Sequence, residues 1–243
     1  MRNSPARAHM QTHVAAARAT ADDGNLADRA MATGYELMLA QMYEHKRRLK
    51  EVQSLEKKAE IKRQYLPAYA DYVAGALEAD GGGQDDVLTT IMVWRIDTGD
   101  FAGAIDIARY VIAHGLVMPD QYQRNTATLI AEEIAEAALK AIAAGQAFDI
   151  KIVAEASTLT NAADMPDEVR AKLYKAGGYL FSAPDDAPLD DLKAAADCWT
   201  RAIALHPRVG VKKDLEKLDR RIKAAEQEQA GTDQGNTPPP GAD

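Results

Sequence analysis

Cysteine is nearly absent from this chain: Cys198 is the single copy among 243 residues. No disulfide can close within the chain and no cysteine-based zinc site can be built. Cys198 falls in an amphipathic helical pattern, which reads as a buried thiol in a reducing, intracellular compartment. Aromatics are also scarce, at 6%, and β-branched runs are short, which disfavours sheets. No apolar run approaches the length of a transmembrane helix. The first residues carry arginines and histidines without an apolar core, so no secretory signal is read. A phosphate-binding loop ending in Gly-Lys-Ser/Thr is missing. The glycine run Gly81-Gly82-Gly83 is followed by Asp85 and Asp86, which would repel phosphate.

Hydrophobic residues, many of them alanine, make up 47% of the chain. That composition favours helices. The expected fold is all-α: long N-terminal helices followed by stacked helical hairpins, partly tetratricopeptide-like. A short basic helix should begin near Ser4-Pro5, with a turn at Ala21–Asn25. One long helical stretch is expected from about Leu26 to Gln64, with Tyr35, Leu39, Met42, Leu49, Val52 and Leu55 along one stripe. Pro67 opens a further helix ending near Leu77. Asp80–Gly83 is the clearest break and suggests a domain boundary. Helices are then expected over about 87–98, 101–114, 126–144, 148–160, 167–181, 189–205 and 209–228. In the last hairpin Ala195, Trp199, Ala202 and Pro207 follow the spacing of a tetratricopeptide second helix, with Gly177, Gly178 and Tyr179 on the first. This gives three parts: 1–80, basic N-terminal helices for DNA binding and self-assembly; 81–230, a helical-hairpin domain; and 231–243, a disordered tail.

The formal net charge is −8, but it is unevenly spread. Residues 1–63 hold 12 Lys/Arg and 8 Asp/Glu, a net of +4; the remainder holds 17 and 29, a net of −12. Within the basic quarter, residues 46–63 carry Lys46, Arg47, Arg48, Lys50, Lys57, Lys58, Lys62 and Arg63 against three glutamates. Such a run is either a solvated helix face or a phosphate-contacting surface. Arg2, Arg7 and Arg18 add to the same pole.

Catalytic candidates are few. His9 and His13 stand at i, i+4 and could share a helix face, but no third ligand is placed beside them. The carboxylate pairs Asp85-Asp86, Glu132-Glu133, Asp185-Asp186 and Asp190-Asp191 mostly sit at helix starts or loops, where capping explains them. A metal-dependent nuclease would need such groups to converge on a divalent ion. No catalytic residue, metal ligand or cofactor is assigned.

The stretch from Gly83 to Asp100, including Val93-Trp94-Arg95-Ile96-Asp97, resembles the GpM-type small terminase subunit of temperate contractile-tailed phages. Similar segments are Ile107–Tyr110, His114–Pro119, Ala163–Leu173, Gly210–Lys213, Ser4-Pro5-Ala6, His9-Met10 and Tyr35–Leu39. The resemblance covers roughly residues 1 to 225. It implies a subunit that recognises the cohesive-end site on double-stranded viral DNA, forms a homo-oligomeric ring, partners the large terminase subunit and works in the host cytoplasm without a membrane. ATPase and nuclease activities are expected in the large subunit, although the family has also been described as directing the cohesive-end cut. Relatives can carry a strongly basic C-terminal tail, whereas Asp233–Asp243 here has three prolines and no Lys or Arg. Trp94, Ile96, Phe101 and Tyr110 read as the core of a helix pair, with Arg95 and Asp97 as a polar pair. The rival readings are a helical-repeat protein-binding adaptor without a DNA role, and an endonuclease component directing cohesive-end cleavage.

Overall fold

The computed structural model describes residues 5–20, 26–119 and 124–234, with side chains for 5, 8–15, 34–119 and 124–228. These described residues are all-α, with no strand among them. The turn expected at 21–25, the Ser4 cap, Arg2 and the tail beyond residue 234 lie outside them. The chain divides into two compact units, 1–130 and 131–243.

The first unit contains α1 (Pro5–Thr20), α2 (Leu26–Lys50), α3 (Leu55–Tyr65), a 3-10 turn (Leu66–Tyr69), α4 (Ala70–Ala79), α5 (Asp86–Asp97), α6 (Phe101–Ala113) and the start of α7 (Thr126–Ala143). Its centre is α5. Residues Val87 through Trp94, and Ile96, are all buried, so the helix is covered nearly all round, as a core helix must be. Asp85 starts it: Oδ1 accepts the Leu88 N–H at 2.9 Å, satisfying one of the free donors at the helix start. Helix α1 lies against both α4 and α2. A Cβ at Gly75 would stand 2.5 Å from the Thr12 carbonyl oxygen, so only glycine admits α1 this close to α4.

Two expectations change here. The long helix over 26–64 is two helices, broken at Glu51–Ser54. Ser54 ends the break by accepting the Lys57 N–H on its hydroxyl at 3.2 Å, and Glu56 faces the positive end of the new helix. Arg95 and Asp97 do not pair. Arg95 Nη1 reaches Asp100 at 2.7 Å, and Asp97 receives Lys62 from α3. The other core expectations for α5 and α6 are realised: Trp94, Ile96 and Tyr110 are buried, and Phe101 is partly so.

The glycine-rich turn after α4 lies inside the first unit and is pinned from several directions. The Gly82 N–H donates to Tyr110 Oη at 2.8 Å. His114 Nε2 meets Asp80 at 2.7 Å. The Gln84 amide bonds both the N–H and the carbonyl of Val117. Tyr72 Oη donates to the buried Asp85 at 2.5 Å.

The second unit contains the rest of α7, then α8 (Ile150–Thr160), α9 (Asp167–Ser182), α10 (Leu189–Leu205) and α11 (Lys212–Gln234). Successive helices from α8 to α11 pack on one another. Ala171, Leu192, Ala195, Trp199, Ala202, Val209, Val211 and Leu218 form its core. Trp199 donates its indole N–H to the Lys175 carbonyl at 3.2 Å, which resolves the polar atom of an otherwise apolar side chain. Arg170 donates to the Thr160 and Ala163 carbonyls, closing the carbonyl end of α8. Helix α11 begins at Lys212, not Val209, because Gly210 takes a positive φ of 86° just before it. It also runs through Gly231 to Gln234, into the segment expected to be a disordered tail.

Candidate nucleic-acid interface

The basic run of the N-terminal quarter sits on an elbow. Helix α2 ends in Arg47, Arg48 and Lys50, cations at the carbonyl pole of a helix, where its dipole favours them. After the Glu51–Ser54 turn, α3 opens with Lys57 and Lys58. No residue of α3 is fully buried. It is held as a surface helix by an aromatic cluster. The Tyr65 ring lies flat on His45, with centroids 3.7 Å apart. His45 Nδ1 meets Tyr69 Oη at 2.8 Å, and Trp94 closes the group at about 6 Å. Burial, and then the Arg48 charge, push the His45 pKa below its ordinary value, so the ring is neutral at pH 7.

The cations of the run have different fates. Lys46 turns inward: its ammonium donates to Thr90 Oγ1 at 3.1 Å, and burial pulls its pKa down. Lys62 pairs with Asp97, and Arg63 donates to the Thr98 carbonyl at the end of α5. These three tie α2 and α3 to α5. Arg47 and Arg48 share one carboxylate, Glu44, at 2.9 and 3.0 Å, with 65% and 58% of their side chains exposed. Arg48 also bonds Tyr65. Hydrogen bonds from Arg47 first and Arg48 second bring the Glu44 pKa down to about 2. Lys57 pairs with Glu60 at 2.8 Å. Such exposed pairs between neighbours on one helix are weak and salt-sensitive. Lys50 is exposed and Lys58 partly so.

Arg47, Arg48, Lys50 and Lys57, with the partly exposed Lys58, are therefore the surface cations of the elbow that are not tied to α5; Arg63 is also exposed but donates to the Thr98 carbonyl. Arg7 and Arg18 belong to α1, but their side chains, like all of Arg2, lie outside the description. The tie of Lys46, Lys62 and Arg63 to α5 could not be read from the sequence, because their partners lie 35 to 44 residues away. His9 and His13 do come together, edge to face at 4.2 Å. No group of three or more His, Cys, Asp or Glu placed to hold a metal ion occurs among the described residues. Also among them, no helix is long and apolar enough to cross a membrane.

A family model described as "Phage small terminase subunit" matches residues 39–168. The chain is 43% identical over 220 residues to the protein named "Terminase, endonuclease subunit" of Escherichia phage P2, covering 90% of this chain and 86% of that one. It is 26% identical over 178 residues to the "Probable terminase, endonuclease subunit" of Haemophilus phage HP1 (strain HP1c1), covering 69% and 63% respectively. No solved structure matches.

Proposed function

The chain belongs to the phage small terminase subunit family, and on that premise we propose that it recognises double-stranded viral DNA at the cohesive-end site and delivers it to the large terminase subunit for packaging. The work is done in the host cytoplasm by a homo-oligomeric ring. The observation behind the DNA role is the α2–α3 elbow: Arg47, Arg48, Lys50, Lys57 and Lys58 reach the surface on a scaffold fixed by the His45–Tyr65 stack. Each phosphate contact releases counterions, so binding falls steeply with salt. One elbow binds feebly. Several elbows in one particle bind firmly, because every contact after the first is intramolecular. The hairpins of the second unit contact the large subunit or scaffold the ring.

Replacing Arg47, Arg48, Lys57 and Lys58 by Glu tests this reading. The variant should lose salt-sensitive binding to cohesive-end DNA while its helicity stays at the parent's level. Retained binding would exclude the elbow as the DNA contact, and absence of binding by the parent at low salt would favour a protein-binding adaptor.

The relatives' designation as endonuclease subunits supports a second reading, a direct part in the cohesive-end cut. It requires that the purified chain, with magnesium or manganese and no large subunit, nick the DNA. Intact DNA after prolonged incubation would remove that reading.

A further inference from the structure

The elbow is not the only place where positive charge gathers. Residues 208–223 hold seven Lys/Arg and three Asp/Glu, a net of +4, whereas residues 131–207 of the same unit hold seven and thirteen, a net of −6. Half of the second unit's cations are thus drawn into one helix and the turn before it. Val211, just before helix α11, and Leu215, Leu218, Ile222 and Ala225 on it turn to the core. At about 100° per residue, Lys213, Lys217 and Arg220 stand opposite that buried stripe, and all three are exposed. No Asp or Glu shares their line; Glu216 and Asp219 flank it. Lys213 and Arg220 have no ion-pair partner among the described residues, and Lys217 has only Asp214 at 3.8 Å.

Glu216 stands three residues from Lys213 and four from Arg220, yet it is exposed and forms no ion pair with either among the described residues, and two other acids of the helix are held by further groups. Asp214 accepts the Tyr179 hydroxyl at 2.8 Å, and Glu226 pairs with Lys193 at 2.8 Å. Arg221 locks the helix in place by donating to the Ser182, Pro184 and Asp185 carbonyls. The three cations therefore sit on a rigid support, ready for a ligand.

We propose that the outward face of α11 is a second contact for the phosphate backbone of duplex DNA, formed by Lys213, Lys217 and Arg220. This rests on the DNA-recognising role proposed above. The run from 213 to 220 rises by about 10 Å, the axial rise of about three phosphates on one strand. Acidic protein partners fit less well. Protein interfaces centre on aromatic or apolar anchors, and none of the large exposed hydrophobics among the described residues lies on α11. The stripe offers charge without such an anchor, as sequence-independent backbone binding requires.

The test is K213Q/K217Q/R220Q in the full chain, titrated with a short duplex of arbitrary sequence over a salt series beside the parent and the elbow variant. Glutamine keeps helix propensity, and circular dichroism and particle mass check fold and assembly. The expected result is a slope of log affinity against log salt shallower by about 2.7 for each engaged chain, with affinity lower by roughly ten-fold or more at low salt. If the triple variant changes particle mass, the single substitutions replace it, each expected to reduce the slope by about 0.9. A slope equal to the parent's, while the elbow variant loses binding, overturns this proposal and leaves the elbow intact. So does an unchanged slope with loss of poly-glutamate binding, which assigns the stripe to an acidic protein segment. No DNA binding by the parent at low salt sinks both.

Discussion

Glu44 sets how available the elbow's two arginines are. Its carboxyl bridges Arg47 and Arg48, and those hydrogen bonds bring its pKa from the ordinary 4.5 to about 2. A carboxylate depressed in the folded state contributes fully above its unfolded value and loses that contribution as pH falls through the folded one. The window is therefore from about 4.5 down to about 2, and at neutral pH Glu44 is charged and, on the proposed DNA role, competes with phosphate for the two arginines. Glu44→Gln should tighten duplex binding roughly two- to five-fold by removing an exposed competitor, as read by fluorescence anisotropy. Unchanged or weaker binding would mean the arginines do not face DNA. At the same scale, Gly177 and Gly178 are neighbours with opposite sensitivities. A Cβ at Gly178 would fall 2.3 Å from Trp199 Nε1, whereas at Gly177 the nearest atom is Cys198 Sγ at 3.5 Å. Gly178→Ala should destabilise by about 1–3 kcal/mol through overpacking. Gly177→Ala should be neutral or stabilising by up to about 1 kcal/mol through helix propensity. Urea midpoints of the two variants check the contrast. The sequence placed both glycines on a helix beside a tryptophan, but their separate roles depend on which one the indole overlies.

The elements with strong punctuation were legible: Asp85 before α5, the Gly99-Asp100 turn, Pro166 before α9 and Leu189–Leu205 all stand where local chemistry put them. The break between α2 and α3 was missed because no glycine or proline marks it. Its signal was Ser54 followed by Glu56, an N-cap with an acid in the first turn. That cap gives a prediction for the element. Ser54→Ala should cost about 0.5–2 kcal/mol and speed hydrogen exchange over the first turn of α3, with α5 unaffected. Equal protection in the variant would show that the aromatic stack alone holds α3. The fixing of the Asp80–Gly83 turn was not legible either. Tyr110, His114 and Val117 reach it across about 30 residues, and periodicity within one helix carries no record of such partners.

Across the whole molecule, charge segregation was readable by counting, but its division into cations tied to α5 and cations not so tied was not. Lys46, Lys62 and Arg63 help build the first unit, while Arg47, Arg48, Lys50, Lys57 and Lys58 remain at its surface. The account asks these few contacts to act together in many copies. Its most direct test is the affinity of the native particle for cohesive-end duplex across a salt series, with particle mass measured on the same sample. Five elbow cations give a slope of about −4.5 for one engaged chain, or about −7.2 with the three of α11, and an oligomer engaging several should be steeper. A lone monomer, or affinity indifferent to salt, would contradict it.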